Sequence, residues 1–155
     1  MKVGIGYDIH RLVPNRKLVL GGVAIAFEKG PDSHSDGDVL LHAVTDALLG
    51  ACGAGDIGQH FPNTDARWKN VESRVFVQRA MDFVREAQCK VGNLDATIFA
   101  DAPKLAPHLS AMKRNLAEFL QVDESQVNLK AGTNEGCDAI GHGDAIAAQV
   151  IVLLV

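Results

Sequence analysis

The order of apolar and polar positions along the chain predicts strands at both ends and helices between them. Residues 2–10 alternate apolar side chains with small or polar ones, which is the period of a strand. Apolar side chains three and four positions apart predict amphipathic helices further along. The predicted strands are residues 2–10, 17–25 with a break at Gly21-Gly22, 93–100, 127–133 and 146–155. The predicted helices are residues 35–50, residues 73–90, and a third helix that starts at Pro107 and carries apolar residues as far as Leu120. The predicted loops are residues 28–37, 53–72 and 136–143.

Strands and helices are mixed without the strict rhythm of repeated βαβ units. We therefore expect an α/β (α+β) fold, a two-layer sandwich in which helices cover one face of a mixed β-sheet. The apolar strand 146–155 and the small number of covering elements predict that self-association buries the other face. A chain of 155 residues without a repeat, a low-complexity tract or a linker is expected to form a single domain, residues 1–155.

Composition and charge narrow the possible partners. Apolar residues make up 47% of the chain and charged residues 22%, which is typical of a globular protein. The formal net charge of −4 argues against nucleic acid as a main partner. No apolar stretch reaches the roughly 20 residues that cross a bilayer, and residues 1–10 carry no secretory signal, so no membrane partner is expected. Three separated cysteines fit a reducing cytoplasm, and a plastid protein would first have lost a transit peptide.

A carboxylate and two histidines are candidate metal ligands. Asp8 and His10 are two positions apart in a predicted strand, so both side chains leave the same face. His42 lies in the following helix, and two imidazoles with one carboxylate form a common zinc site with an open fourth position. A D-x-H motif alone is more often a simple strand end. Asp46, one turn after His42, either orients the metal-bound imidazole or is a solvated helix carboxylate.

Four polar residues cluster where the helix 35–50 is expected to begin: His34, Ser35, Asp36 and Asp38. Ser35 with Asp38 three positions later resembles a capping box, and aspartates stabilise a helix start. The free N–H groups of a helix start also bind phosphate. His34 has no capping role. A capped helix and an anion site therefore both stay open as interpretations.

Two loops carry further candidate residues. Residues 56–58 and 61–65 lie in a loop long enough to be functional, although a turn-rich surface loop is the simpler interpretation of this stretch alone. In residues 130–135, Thr133 and Glu135 suit a phosphate oxygen and a hard metal ion, or form a polar strand end. The chain has no dinucleotide fingerprint, P-loop or serine nucleophile elbow.

Five motifs follow one another along nearly the whole chain. They are G-Y-D-I-H at 6–10, H-S-D-G-D-V-x-x-H-A-x-T-D-A-L-L-G at 34–50, G-D-I-G-x-x-F-P-x-T-D at 55–65, A-P-K at 102–104 and K-A-x-T-x-E at 130–135. Together they resemble the motifs of the 2-C-methyl-D-erythritol 2,4-cyclodiphosphate synthases, a family of phosphorus–oxygen lyases in non-mevalonate isoprenoid biosynthesis. The segment 34–50 is the most specific part of this resemblance.

The resemblance implies two metal ions and two catalytic side chains. A site for Zn²⁺ or another divalent transition metal matches three residues: Asp8, His10 and His42. Glu135 matches a ligand of a second ion, Mg²⁺ or Mn²⁺, which bridges the diphosphate of the cytidine substrate. His34 and Thr133 match groups that stabilise the transition state.

The resemblance also implies two groups of substrate-binding residues. Contacts to the phosphorylated methylerythritol match Ser35, Asp56, Ile57, Gly58, Phe61, Pro62, Asn63, Thr64 and Asp65. The cytidine pocket matches Ala100, Asp101, Ala102, Pro103, Lys104, Leu105, Ala106, Ala131 and Gly132, together with Thr133. Family members are homotrimers with each active site between neighbouring subunits, which fits a sheet face buried by self-association.

The implied reaction is intramolecular. The 2-phosphate of 4-diphosphocytidyl-2-C-methyl-D-erythritol 2-phosphate attacks the β-phosphorus, CMP leaves, and 2-C-methyl-D-erythritol 2,4-cyclodiphosphate forms. No protein nucleophile is needed, so catalysis rests on positioning and on neutralising charge. Two divalent cations explain how a net acidic protein holds a polyanion.

The chain departs from the common family pattern after Lys130. Gly132 and Asn134 stand where many members have threonine, Ala139 replaces a phenylalanine and His142 replaces an arginine. In some relatives that phenylalanine and arginine line a central trimer cavity that holds an isoprenoid diphosphate. An imidazole lacks the guanidinium fork, so we expect this chain not to bind such a ligand.

Two other functions stay open from the sequence. A metal-dependent phosphohydrolase acting on a nucleotide diphosphate ester would use the same zinc site on a water molecule and release a linear product. A non-catalytic binding module would have kept the assembly and lost the activity. The altered segment 132–142 is the only support for the binding module, and the retained metal-ligand candidates argue against it.

Overall fold

The computed structural model describes residues 1–155. The strands are β1 (Lys2–Pro14), β2 (Leu18–Leu20), β3 (Val23–Ile25), β4 (Lys29–Pro31), β5 (Val91–Phe99), β6 (Val127–Gly132) and β7 (Ala145–Leu154). The helices are α1 (Val39–Cys52), α2 (Ile57–His60), α3 (Arg74–Glu86), α4 (Leu109–Leu120) and α5 (Asp138–Gly141). Three 3-10 turns cover Ala66–Trp68, Ala106–His108 and Glu124–Gln126. None of the helices is long and apolar enough to cross a bilayer.

Five strands form one mixed sheet in the order β4-β1-β7-β5-β6. β7 lies in the middle and pairs antiparallel with β1 and with β5, whereas β5 and β6 are parallel. This central position explains why the last predicted strand is so apolar. β2 and β3 form a separate hairpin around Gly21-Gly22, and both glycines have a positive φ, which accounts for the predicted break.

The helices cover one face of the sheet. α1 packs on β1 and β7, α3 packs on α1, and α4 packs on β6 and α3, so that one continuous core fills the space between the two layers. The mixed α/β architecture with helices on one face is as predicted. The other face carries an apolar stripe, whose members are each between 45% and 67% exposed in the single chain: Val3, Ile5, Tyr7, Ile9 and Ile151.

Glycines face the helix layer in β1, and the large apolar residues face away from it. Gly4 and Gly6 are buried beneath α1, and the next residues on the same side are Asp8 and His10. A Cβ atom on Gly6 would lie 1.9 Å from the backbone oxygen of Ala43. The backbone of α1 therefore rests directly on β1, which brings the first turn of the helix over Asp8 and His10.

The first helix begins at Val39, so the expectation of a helix start capped by Ser35 is wrong. Asp38 is the N-cap, and its Oδ1 accepts the N–H of Leu41 over 3.1 Å. The same carboxylate accepts the N–H groups of Gly21 and Gly22 over 3.0 and 2.7 Å. Burial raises the pKa of Asp38 to about 6, while these N–H donors oppose the shift. A cap that also anchors a distant hairpin turn leaves no signal in the local sequence.

Replacing Asp38 by alanine is expected to lower the free energy of unfolding by about 2–4 kcal/mol. The change removes a helix cap and leaves three N–H groups without their acceptor, two of them on the hairpin turn. Urea unfolding followed by circular dichroism measures the loss. Asp123→Ala removes an exposed cap of a 3-10 turn and serves as the control, with an expected cost below about 1 kcal/mol. An equal loss of unfolding free energy in the two variants would contradict the role of Asp38 in anchoring the hairpin turn.

Short elements interrupt the segments expected to be loops. β4 pairs with the end of β1, α2 and the turn Ala66–Trp68 lie within 53–72, and α5 lies within 136–143. Each is three or four residues long, too short for a periodic pattern to reveal. Pro107 belongs to a 3-10 turn, and the third long helix begins two residues later at Leu109.

Candidate metal centre and active site

Three side chains that bind metal ions converge where α1 lies on β1. Asp8 and His10 leave the same face of β1, and His42 meets them from the first turn of α1. His42 Nδ1 lies 2.9 Å from Asp8 Oδ2 and 3.1 Å from His10 Nε2. His10 Nε2 lies 3.0 Å from the same oxygen of Asp8. The fold thus brings together the three residues that the sequence marks as candidate zinc ligands, and we call them the metal cluster.

The chemistry of the metal cluster suits a cation. Burial alone would raise the pKa of Asp8, but the hydrogen bonds and charges of His10 and His42 outweigh burial and hold this pKa well below its usual value. Asp8 is therefore ionised in the folded protein. The three ligand atoms lie within 4.8 Å of one another, so one carboxylate and two imidazoles could hold one divalent metal ion.

Two serines contact the nitrogen of His42 that points away from the metal cluster. His42 Nε2 lies 3.0 Å from Ser35 Oγ and 2.9 Å from Ser73 Oγ. Ser35 is buried, and its hydroxyl also accepts the N–H of Gly37. The sequence marks Ser73 only as the start of a helix, and no local signal connects it to a histidine 31 positions away.

Asp46 does not contact the imidazole of His42. The interpretation that Asp46 orients this ring is therefore wrong. Its Oδ1 accepts the N–H of Ile57 over 2.8 Å, while both ring nitrogens of His42 have other partners. Burial raises the pKa of Asp46, and the N–H of Ile57 opposes the shift. The side chain therefore anchors the start of α2, which forms one side of the site.

A cavity of about 430 Å³ opens beside the metal cluster. The sequence-predicted residues that line it are Asp8, His10, His34, Ser35, His42, Ile57, Gly58, Phe61, Pro62, Asn63 and Thr64. Asp56 and Asp65 do not line it: Asp56 caps α2 by accepting the N–H of Gln59, and Asp65 pairs with Arg67. The ion pair with Arg67 lowers the pKa of Asp65.

An aromatic cluster forms one wall of this cavity. The ring of Phe61 lies 4.5 Å from that of Phe76 and 5.1 Å from that of Trp68, measured between centroids. The ring of Phe76 also contacts His42, with centroids 5.8 Å apart. The sequence marks Phe76 only as one apolar residue of a predicted helix, and it gives no signal for Trp68, which lies in the predicted loop 53–72. They make the side of the cavity next to the metal cluster apolar.

The other sequence-predicted residues form a second group at the ends of β5 and β6. The N–H of Ala100 donates to the carbonyl of Gly132 over 3.0 Å, so residues 100–106 begin beside residues 131–132. Thr133 Oγ1 donates to Glu135 Oε1 over 2.7 Å, and both residues are exposed. The fold therefore brings the predicted cytidine residues together with the predicted ligand of the second metal ion.

This second group lies at the same end of the sheet as the metal cluster but on other strands. Phe99 pairs with Ala147, and Ala147 pairs with Ile9, which neighbours both Asp8 and His10. β5 and β6 are two and three strands away from β1, which corresponds to about 10 and 14 Å. Within a single chain the second group does not line the cavity.

Sequence comparisons identify relatives along the whole chain. The model of the YgbB family matches residues 1–155. A 2-C-methyl-D-erythritol 2,4-cyclodiphosphate synthase from Desulfosudis oleivorans is 55% identical over 100% of this chain and 92% of its own length. One from Clostridium perfringens is 49% identical over 100% of this chain and 99% of its own length.

Solved structures share the fold. The bifunctional IspDF from Campylobacter jejuni matches with a TM-score of 0.94 and 42% identity over 99% of this chain, which spans 42% of that longer protein. A 2C-methyl-D-erythritol-2,4-cyclodiphosphate synthase solved with CDP bound matches with a TM-score of 0.92 and 39% identity, over 99% of this chain and 100% of its own. The matching motifs, the metal cluster and the shared fold agree, and the chain belongs to the YgbB family, the family of the 2-C-methyl-D-erythritol 2,4-cyclodiphosphate synthases.

Proposed function

We propose that the chain converts 4-diphosphocytidyl-2-C-methyl-D-erythritol 2-phosphate to 2-C-methyl-D-erythritol 2,4-cyclodiphosphate and releases CMP. The observation that carries this proposal is the metal cluster, whose ligand atoms converge to about 3 Å beside a cavity lined by residues of the matching motifs. Family membership favours this reaction over the phosphohydrolase and the binding module. Within this proposal, residues 1–155 form one cyclodiphosphate synthase domain.

We propose that the metal cluster holds Zn²⁺ and that Glu135 holds Mg²⁺ or Mn²⁺. Two imidazoles and a carboxylate are a donor set that zinc accepts readily, whereas a lone carboxylate on an exposed loop suits a hard ion shared with phosphate oxygens. When bound, such cations offset the phosphate charge that keeps the reacting groups apart. The ionised Asp8 supplies the negative charge that retains the first ion.

The side chains of the cavity fold and orient the substrate in this proposal. His34 and Thr133 stabilise the transition state, and His34 lies in the cavity wall, with Nε2 3.4 Å from the carbonyl oxygen of Asp65. Ser35, residues 56–58 and residues 61–65 bind the phosphorylated methylerythritol. The aromatic wall excludes water, which favours attack by the substrate's own phosphate over hydrolysis.

We propose that a homotrimer completes the site. In one chain the residues for cytidine and for the second metal ion follow the ends of β5 and β6, which are two and three strands from β1 or about 10 and 14 Å, and they do not line the cavity of the metal cluster. The apolar stripe on the bare face of the sheet supports burial against other copies, because contiguous exposed apolar surface usually marks an interface. Each site would then combine the metal cluster of one subunit with residues 100–106, 131–133 and Glu135 of a neighbour.

Ile5→Asp is expected to convert the trimer to monomers and to remove nearly all turnover. The change places a charge in the middle of the apolar stripe, where its burial against another subunit would cost several kcal/mol. Light scattering after size-exclusion chromatography measures the mass. Ser110→Asp adds the same charge to an exposed position of α4 and is expected to leave the trimer intact. A trimeric Ile5→Asp variant would contradict this placement of the interface.

Glu135→Gln is expected to raise the Mg²⁺ concentration needed for half-maximal turnover by about tenfold or more, because the change removes a negatively charged oxygen ligand. Zinc content per chain is expected to stay unchanged, since the two sites are separate. Metal analysis and Mg²⁺ titrations measure the two effects. Glu124→Gln, at another exposed position, is the matched control. Equal loss of both metals would contradict separate sites.

Phosphorus NMR of the reaction tests the proposed function. The zinc-loaded protein is incubated with the cytidylyl substrate and Mg²⁺, and the expected products are CMP and a cyclic diphosphate. A linear diphosphate would assign the chain to the phosphohydrolases. Absence of turnover with both ions bound would leave a binding module and would overturn the proposal.

A further inference from the structure

A hydrogen-bonded chain runs from the metal cluster into the protein and ends at Asp36. His42 Nδ1 faces Asp8, and His42 Nε2 lies 2.9 Å from Ser73 Oγ. Ser73 Oγ in turn makes a hydrogen bond to Asp36 Oδ1, and the N–H of Ser73 donates to Asp36 Oδ2 over 2.9 Å. None of these contacts between residues 36, 42 and 73 follows from helical or strand spacing.

The direction of each hydrogen bond in this chain follows from the groups themselves. The carboxylate of Asp36 receives the N–H groups of Ser73 and Asp38, so it acts as an acceptor toward all its backbone partners. The hydroxyl hydrogen of Ser73 therefore points to Asp36, which leaves the oxygen of Ser73 to accept a hydrogen bond. His42 must then carry a proton on Nε2, and Nδ1, which faces Asp8 and His10, is the nitrogen that would bind an ion.

Ser73 gives up its usual role at a helix start to make these contacts. It is the N-cap of α3, but its side chain caps no N–H group of that helix. Its exposed fraction is 0%, so solvent does not satisfy the hydroxyl either. A buried serine that contacts a carboxylate and an imidazole in place of its own helix indicates that these two contacts determine its position.

Ser35 reaches the same nitrogen of His42 but does not fix the proton in this way. Its hydroxyl lies 3.0 Å from His42 Nε2, accepts the N–H of Gly37 and lies 3.5 Å from the hydroxyl of Ser33. No carboxylate receives its hydrogen, so the hydroxyl is free to donate or to accept. Only the path through Ser73 fixes which nitrogen of His42 is protonated.

We propose that Ser73 and Asp36 are positioning residues of the metal centre. They hold the imidazole of His42 in one orientation and keep its proton on Nε2, so that Nδ1 is ready to bind the ion. The inference rests on the proposed zinc site and adds to it two residues that do not touch the metal or the substrate. Outer partners of metal-bound histidines typically change metal affinity by about 10–100-fold.

The test measures zinc affinity in Ser73→Ala by competition with a chelator. The expected result is a dissociation constant about 10–100 times that of the unmodified protein. Ser33→Ala removes a hydroxyl from the same cavity without touching His42 and is expected to bind zinc normally. Nitrogen NMR of the zinc-bound protein gives an independent signature. The slowly exchanging proton on His42 Nε2 should exchange faster in Ser73→Ala than in the unmodified protein, and Ser33→Ala should not change its exchange.

Asp36→Asn provides a second variant that keeps Ser73 in place. It is expected to weaken zinc binding by about threefold or more, and it decides the question if Ser73→Ala fails to fold. Zinc affinity within twofold of the unmodified protein, with unchanged exchange of the Nε2 proton, would overturn the inference. A protein that binds no zinc before any substitution would overturn the proposed metal site and this inference with it.

Discussion

His42→Ala is expected to lose bound zinc and to lower turnover by about a thousandfold or more. Two of the three ligands remain, and an aspartate with a single histidine does not complete a three-ligand zinc site. Loss of several kcal/mol of charge stabilisation in the transition state corresponds to a rate loss of this size. Metal analysis of the purified variant and a turnover assay at saturating Mg²⁺ measure both effects.

The control for this prediction is another histidine with defined packing. The ring of His60 packs at a tilt against that of Phe83, and its Nε2 contacts the carbonyl of Ala54, without touching the metal cluster. His60→Ala is expected to lose some stability and to keep its zinc. His42→Ala is expected to keep its association state, because His42 lies outside the apolar stripe. An unchanged zinc content together with a lower melting temperature in His42→Ala would show that this histidine is only a core residue.

Gly6→Ala is expected to lower the free energy of unfolding by about 4 kcal/mol or more, and a marginally stable chain would not fold at all. A methyl group at this position would lie 1.9 Å from the backbone oxygen of Ala43, and no side-chain rotation relieves a clash with backbone. α1 would have to move away from β1. The same movement would separate His42 from Asp8, so zinc affinity should fall together with stability.

A second glycine, Gly50 in α1, is the matched control. Gly50 is exposed, and a methyl group added there would have the backbone oxygen of Ile5 as its nearest neighbour, at 3.9 Å. Gly50→Ala is expected to raise the free energy of unfolding by about 0.5–1 kcal/mol, because alanine favours a helix over glycine. Urea titrations of both variants decide the outcome. A Gly6→Ala variant within about 1 kcal/mol of the unmodified protein would contradict direct backbone packing of α1 on β1.

Sequence patterns predicted the long elements well and the short ones poorly. Residues 146–155 formed the expected buried strand, and the stripe of leucines in 35–50 formed α1, because each pattern extends over several periods. The start of α1 was predicted at Ser35 but lies at Val39, because Asp38 is fixed by the distant turn at Gly21-Gly22. β4 and α2 are too short to produce a period, and contacts with other segments define them.

In the candidate site, too, the sequence predicts some features, and contacts between distant segments decide others. The spacing of Asp8 and His10 places them on one side of a strand, and the order of the motifs along the chain indicates the family and identifies His42 as the third ligand candidate. The position of Asp46, one helical turn from His42, predicted a contact that does not form, since its carboxylate binds the N–H of Ile57. Spacing along a helix shows which side chains are within reach of one another, but competition between hydrogen-bond partners decides which contact forms.

The amino-acid sequence by itself determined the family, the long strands and helices, and the types of residue available for metal and phosphate. The type of each residue and the period of the apolar positions are local properties, so they can be recognised in the sequence. Only the tertiary structure decided that the glycine side of β1 faces α1, that Ser73 and Asp36 support His42, and that the predicted cytidine residues lie two and three strands from the metal cluster. These arrangements depend on the packing of segments distant in sequence, and no local pattern encodes which segments meet.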